Sequence, residues 1–286
     1  MSKSYSDLVQ RVQGSNNARL CIPTYPGVFR RTINFKILQF NYFKKKRMDL
    51  FSFLKAQITS QGRSKLFNEW NLRGAETVSK YGIKLPNKFP RAYLNEVFAD
   101  EVYSVEGFVP DSQSSILDIG AQYGDYSILC SKKYGVKKVD AFEPLIENIS
   151  IFKELIALNG TSNIEVHECA LSDVETSVEM RYNSQMLKTI STGPIKQIIK
   201  FRKLDSFRLR CDLLKIDVEG FEVKVILGGE ETIQRYKPRI IIEVHSGRLR
   251  KLSINILEQI GYRVAFEENH KLLNGDIGLV FFEPKN

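Results

Sequence analysis

The chain has 286 residues, 43% of them hydrophobic and 26% charged, with a formal net charge of +9. That is enough for one large α/β domain with a smaller appendage, and the composition is that of an ordinary globular protein, not a disordered or disulfide-built one. The positive balance favours an anionic partner such as nucleic acid, a lipid headgroup or a phosphorylated substrate, although a basic solvated surface is the simpler account.

Cys21, Cys130, Cys169 and Cys211 form no C-x-x-C pair, so buried free thiols in a reducing compartment are expected. The polar start, Met1 to Gln13, lacks an apolar signal core, and no run reaches about 18 apolar residues. A cytoplasmic protein without a transmembrane segment is therefore predicted.

Residues 1–90 read as a mainly helical extension or cap, and 91–286 as the main domain. In the extension, Phe35, Leu38, Phe40, Tyr42 and Phe43 precede the basic cluster Lys44 to Arg47. A helical reading then runs through Leu50, Phe51, Leu54 and Ile58, and helix is expected over Arg63 to Lys80. Basic residues beside aromatics suit RNA or a membrane, but an apolar stripe packed on the main domain explains them as well. Ala92 to Phe108 reads as a further helix leading into the core.

From Ser115 the sequence S-I-L-D-I-G-A-Q-Y-G-D-Y-S passes from a buried strand, through Gly120 and Gly124, into a helix closing near Gly135. The pattern D-x-G-x-x-x-G does not meet the dinucleotide fingerprint G-x-G-x-x-G. Strands are then expected at Lys138 to Phe142, Ile164 to Glu168, Asp212 to Asp217, Arg239 to His245, Tyr262 to Phe266 and Leu279 to Phe282. Helices fall between them at Asn148 to Leu158, through Val223 to Leu227, and at Arg250 to Ile260. This alternation predicts a mostly parallel sheet with helices on both faces and an antiparallel strand near the C-terminus. Met180 to Arg202 reads as a hairpin or insertion over the ligand edge.

In such a sheet, ligands bind beyond the carboxyl ends of the strands. That rule selects Asp118, Gly120 and Gly124 after the first strand, and Glu143 after the second. Ala170 and Leu171 follow the third, Asp217 the fourth, and Glu243 and His245 the fifth. Glu143 lies about 20 residues past the glycine turn, where a βαβ unit returns an acid to the same edge. A carboxylate there can accept from vicinal ribose hydroxyls; its alternative role is to stabilise the start of the next helix. In L-L-K-I-D-V-E-G the period of two points Lys215, Asp217 and Glu219 to one side. Charges on a buried strand must be paired or functional. His245 has the ordinary pKa range of a general base, and equally of a hydrogen-bonded structural histidine. The acids and His245 could hold a divalent ion, but no spacing motif demands a metal.

Six blocks stand in order: I-L-D-I-G-A-Q-Y-G-D-Y-S, A-F-E-P (141–144), A-L-S-D (170–173), L-D-S-F (204–207), L-L-K-I-D-V-E-G-F-E (213–222) and I-I-E-V-H (241–245). Together they resemble the FkbM family of methyltransferases over roughly Phe98 to His245, with K-I-D-V-E-G the most distinctive piece. The resemblance implies a Rossmann-like class I fold that uses S-adenosylmethionine and methylates an acceptor oxygen. It implies Asp118, Gly120 and Gly124 around the methionine part, Glu143 at the ribose, and Asp173 or nearby backbone at the adenine. Gln122-Tyr123 stands where the family usually has smaller or asparagine-containing residues.

Methyl transfer from a sulfonium mainly requires alignment of the acceptor oxygen and removal of its proton, a task for Asp217 or His245. Lys215 and Glu243 complete the candidate catalytic group. The expected function is O-methylation of a sugar, glycolipid or other small hydroxylated metabolite. The alternatives are RNA methylation and a non-catalytic cofactor-binding interaction protein.

Overall fold

Short apolar runs bounded by turn residues form one seven-stranded sheet in the computed structural model, which describes residues 74–90, 94–182, 195–269 and 278–285. The strands are β1 (Ser115–Ile119), β2 (Lys138–Phe142), β3 (Ile164–His167), β7 (Leu213–Ile216), β8 (Arg239–Val244), β9 (Tyr262–Asn269) and β10 (Gly278–Pro284). Their order is β3-β2-β1-β7-β8-β10-β9. Every pairing is parallel except those of β10, which runs antiparallel to both β8 and β9. This is the Rossmann-like arrangement expected from the sequence. Order reverses between β1 and β7, which places the ligand edge above those two strands.

The central strands are buried on both faces, so they read as continuous apolar runs. Ile116 faces one hydrophobic cluster, with Tyr123, Tyr126, Ile128 and Phe152. Leu117 and Ile119 face the other, with Ile226, Ile233 and Leu257. The helices are α1 (Asp125–Leu129, continuing as a π-helical turn Cys130–Tyr134), α2 (Ile146–Asn159), α3 (Glu222–Gly228), α4 (Glu230–Tyr236) and α5 (Gly247–Gln259). Gly135 and Gly160 close α1 and α2 in the left-handed conformation. Ser246 caps α5 by accepting from the backbone N–H of Leu249 at 3.2 Å.

A second sheet joins β4 (Ala170–Leu171), β6 (Ile195–Arg202) and β5 (Thr176–Tyr182) in that order, with β5 and β6 antiparallel. The segment Met180 to Arg202 thus contributes to a hairpin, with residues 183–194 outside the described residues. Gln197 fastens the hairpin: its Nε2 donates to Pro144 O at 2.8 Å and its Oε1 accepts from Tyr182 Oη at 2.9 Å.

The expectation of a helix over Ala92 to Phe108 fails. Among the described residues of that stretch helix is confined to 94–99, with Asn95–Ala99 as one π-type turn. Glu101 then takes a left-handed φ of 48° and accepts from Tyr134 Oη at 2.6 Å, while Tyr103 and Phe108 are buried separately in the first cluster. Tertiary anchoring overrides helix propensity here. The Phe35 to Ile58 reading, with Lys44 to Arg47, lies outside the described residues. So does Arg63 to Lys80 up to residue 73; residues 74–80 are helical, and Val78, Ile83 and Phe89 are buried in the first cluster. Among the described residues, no helix is long and apolar enough to cross a membrane, and Cys130, Cys169 and Cys211 are buried and free.

Candidate active site

Above the carboxyl ends of β1, β2 and β7 lies a cavity of about 860 Å³, counting its open mouth. Its apolar wall comes from Phe142, Leu145, Leu171, Met180, Phe201 and Phe221, so β4 and the hairpin form one side. Gln122, Glu143, Asn148, Asp217 and Glu219 supply its polar groups. Of the residues selected from the sequence, Gly120, Glu143, Ala170, Leu171 and Asp217 line the cavity. Asp118, Gly124, Asp173, Lys215, Glu243 and His245 do not.

Glu143 sits just past β2 and is buried. Its Oε1 accepts from the backbone N–H of Leu145 at 2.9 Å and from Asn148 Nδ2 at 3.1 Å; its Oε2 accepts from the backbone N–H of Gln122 at 3.0 Å. Burial pushes its carboxyl up to about 7, against the pull of these donors and of Lys215. Gln122 reaches it by adopting φ 52°, a left-handed conformation that asparagine and glycine tolerate better. Glu219, also in the cavity lining, has φ 50°. Two strained non-glycine residues facing one cavity are a mark of a functional site.

Asp118 and Lys215 are paired in the β1–β7 register, under the glycine turn. Lys215 Nζ donates to Asp118 Oδ1 at 3.1 Å and to Gly120 O at 3.2 Å, and lies 5.2 Å from the centre of the Tyr103 ring. Ser127 Oγ donates to Asp118 Oδ2 at 2.6 Å. Burial alone would lower the Lys215 pKa, but the carboxylates of Asp118, Asp217 and Asp125 hold it well above the usual lysine range. Burial also pushes Asp125, at the start of α1, up to about 7.

The glycines are close-packing positions. Gly120 and Gly124 have φ 79° and 80°. A Cβ on Gly120 would lie 1.8 Å from Asp217 O, and one on Gly124 2.0 Å from the Phe152 ring. The N–H groups of Gly120 and Ala121 both donate to Phe142 O at 3.0 Å.

His245, one residue past β8, stands among acids. Its Nδ1 is 2.6 Å from Glu222 Oε1, while its Nε2 is 3.5 Å from Glu219 and 3.7 Å from Asp217. Tyr103 Oη donates to Glu243 Oε2 at 3.3 Å. Asp217, Glu243 and His245 each bring a possible metal-ligand atom within 4.8 Å of the others, as do Asp140, Glu165 and His167. In the latter group Lys138 Nζ already supplies a cation, 3.1 Å from Asp140 and 2.9 Å from Glu165. Asp173 accepts from Ser172 Oγ at 3.0 Å and lies 3.5 Å from Lys224 Nζ, and its Oδ2 is buried without a hydrogen bond.

Sequence reasoning missed Glu222, Tyr103 and Asn148. Glu222 closes the K-I-D-V-E-G-F-E block, but a glutamate opening a helix reads as an N-terminal acid. Tyr103 lies where helix was expected, and no motif marks it.

A family model described as the methyltransferase FkbM domain matches residues 118–264. Among curated proteins, the chain is 25% identical over 202 residues to Methyltransferase 1 of Beauveria bassiana, covering 60% of this chain and 80% of that protein. It is 28% identical over 235 residues to AMB antimetabolite synthetase AmbE of Pseudomonas aeruginosa, covering 63% of this chain and 11% of that much longer protein. Among solved structures, the FkbM methyltransferase of Methylobacillus flagellatus superposes with a TM-score of 0.47 at 19% identity, covering 73% of this chain. The chain spans 59% of that protein's length.

Proposed function

The chain belongs to the FkbM methyltransferase domain family, and from that premise we propose that it transfers a methyl group from S-adenosylmethionine to a hydroxyl of a sugar, glycolipid or other small metabolite. The observation that carries this reading is a single cavity lined by Gly120, Glu143, Ala170, Leu171 and Asp217 together.

The residues present fit the cofactor. Glu143 Oε2 accepts from the backbone N–H of Gln122, and a carboxylate has about four acceptor positions in all, so a ribose hydroxyl can still be accepted on a carboxylate that is otherwise held rigid. The apolar wall of Phe142, Leu171 and Phe201 suits a nucleoside base. Asp173 stands outside the cavity lining, so the adenine end is assigned to the nearby backbone at Ala170 and Leu171. When bound, the cofactor supplies a methyl group activated by its sulfonium, and the sulfur leaves with the bonding pair.

The acceptor side is the work of this chain's own groups. Asp217 lines the cavity, and its Oδ1 is buried without a hydrogen bond. It can accept from the acceptor hydroxyl, turn an oxygen lone pair toward the methyl carbon, and take the proton as the bond forms. An alkylated hydroxyl is a far stronger acid than a carboxylic acid, so a carboxylate suffices for that step. Asp217 and Glu219 on the wall, with Glu243 nearby, would repel a phosphate backbone, which favours a small hydroxylated acceptor over RNA.

Calorimetric titration with S-adenosylmethionine, using NAD as control, tests the reading. Saturable binding of the first alone is expected, and its absence would sink the proposal. Glu143→Ala is expected to weaken that binding by about 10- to 100-fold, or roughly 1.4–2.7 kcal/mol; equal affinity would remove the ribose assignment.

The pH dependence has a definite sign. With its folded-state pKa raised to about 7, Glu143 is protonated below neutrality and becomes a full acceptor above it. Affinity is therefore expected to rise between pH 6 and pH 8. Glu143→Gln should flatten that rise, whereas a slope unchanged by the substitution would assign it to another group such as Asp125.

A further inference from the structure

We propose that Glu222, at the buried start of α3, is a positioning residue that fixes the His245 ring as a cationic donor directed at Asp217 and Glu219, which leaves the proton-accepting role to the Asp217 carboxylate. This inference rests on the transferase reading above and assigns a role within the same site.

Glu222 is held from two sides. Its side chain is 0% exposed, its Oε1 accepts from the backbone N–H of Gly220 at 2.9 Å, and the same oxygen is 2.6 Å from His245 Nδ1. Gly220 has φ 112°, a conformation open to glycine, and follows Glu219 in its own left-handed conformation. The turn between β7 and α3 therefore presents both a clamp for the ring and the acids that face its other nitrogen. With Nδ1 tied to a carboxylate, Nε2 is aimed at Glu219 and Asp217, 3.5 and 3.7 Å away.

A general base needs a ring nitrogen with a lone pair directed at the substrate. Here each nitrogen confronts carboxylates, an environment that favours N–H on both. Burial opposes the charge, but Glu222, Glu219 and Glu243 outweigh it and push the imidazole up to about 10. The charged groups facing the ring come from each element around it: Glu222 from α3, Asp217 and Glu219 from the β7 loop, and Glu243 from β8. A fixed cation there offsets the mutual repulsion of the acids and holds Asp217 in place at the cavity wall. The acceptor's proton then goes to the Asp217 carboxylate, which lines the cavity.

The test is a histidine-selective ¹⁵N NMR titration of the full chain, which has 3 histidines, with His245→Gln used for assignment. In the unmodified protein both His245 nitrogens are expected to remain protonated up to pH 8. In Glu222→Gln the titration midpoint is expected to fall by at least one unit, while Glu222→Asp restores part of the difference. An ordinary midpoint near 6.5 in the unmodified protein overturns the proposal, and so does an unchanged midpoint in Glu222→Gln. Should the variants not fold, the unmodified midpoint alone decides. S-adenosylmethionine titration of the same samples reports separately on the transferase reading: a chain that shows the elevated midpoint but no cofactor binding refutes that reading and leaves the Glu222–His245 clamp standing.

Discussion

Lys215→Met is expected to cost the fold about 3–5 kcal/mol, the penalty for removing one partner of a buried ion pair. The Lys215 side chain is 5% exposed and that of Asp118 0%. Methionine fills similar volume, so the loss is electrostatic. Asp118 would keep Ser127 as a donor and lose its only cationic contact among the described residues, while Gly120 O would lose the ammonium that now reaches it. Equilibrium denaturation measures this directly. In a domain of roughly 200 residues such a change lowers Tm by about 6–20 °C. The double variant Asp118→Asn/Lys215→Met should recover much of the loss, because no buried charge is then left alone. A single-variant cost under about 1 kcal/mol would mean that water reaches the pair. A protein that folds normally without Lys215 but transfers no methyl group would return Lys215 to the catalytic role read from the sequence.

That pair illustrates what could be read in advance and what could not. In L-L-K-I-D-V-E-G, β7 ends at Ile216, before Asp217 and Glu219. The period of two marks Lys215 as a charge on a buried strand and leaves open whether it is paired or chemical. Only the β1–β7 register, which sets Asp118 opposite Lys215, separates the two, and register between strands far apart in sequence is not written in either strand alone. Asp217, two residues on, projects past the strand end and lines the cavity, so one alternating stripe contains both a structural and a candidate chemical residue.

The sheet itself was legible, because buried parallel strands are short apolar runs punctuated by turn residues. The antiparallel β10 was legible as the last of these runs, whereas Met180 to Arg202 read as a hairpin or an insertion and the hairpin in fact begins earlier, at Thr176. The Glu222–His245 contact was not legible, since it joins a helix start to a strand end that are neighbours only after the sheet has formed. The 92–108 region failed in the other direction: its local pattern suggested helix, and Tyr103 and Phe108 were instead drawn separately into the core.

The glycines of the β1 turn were read as places where backbone approaches a ligand; the structure gives them a second, more demanding reason. Gly120→Ala is expected to destabilise the protein by more than about 3 kcal/mol and to weaken cofactor binding. A left-handed residue with a Cβ costs about 1–2 kcal/mol by itself. The remainder comes from contact, because the new methyl would sit 1.8 Å from Asp217 O and 2.8 Å from Asp217 C, backbone atoms with no rotamer to yield. Relief requires the end of β7 to move away from β1, and Asp217 would move with it. Gly135→Ala is the matched control, since Gly135 also has a positive φ, 61°, but a Cβ there would meet nothing within 4 Å. Its cost should be the conformational one alone, about 1–2 kcal/mol, with cofactor affinity kept. Equal losses in the two variants would reduce Gly120 to a turn residue. A much larger loss at Gly120, in stability and affinity together, would establish that the spacing between β1 and β7 sets the position of Asp217 in the cavity.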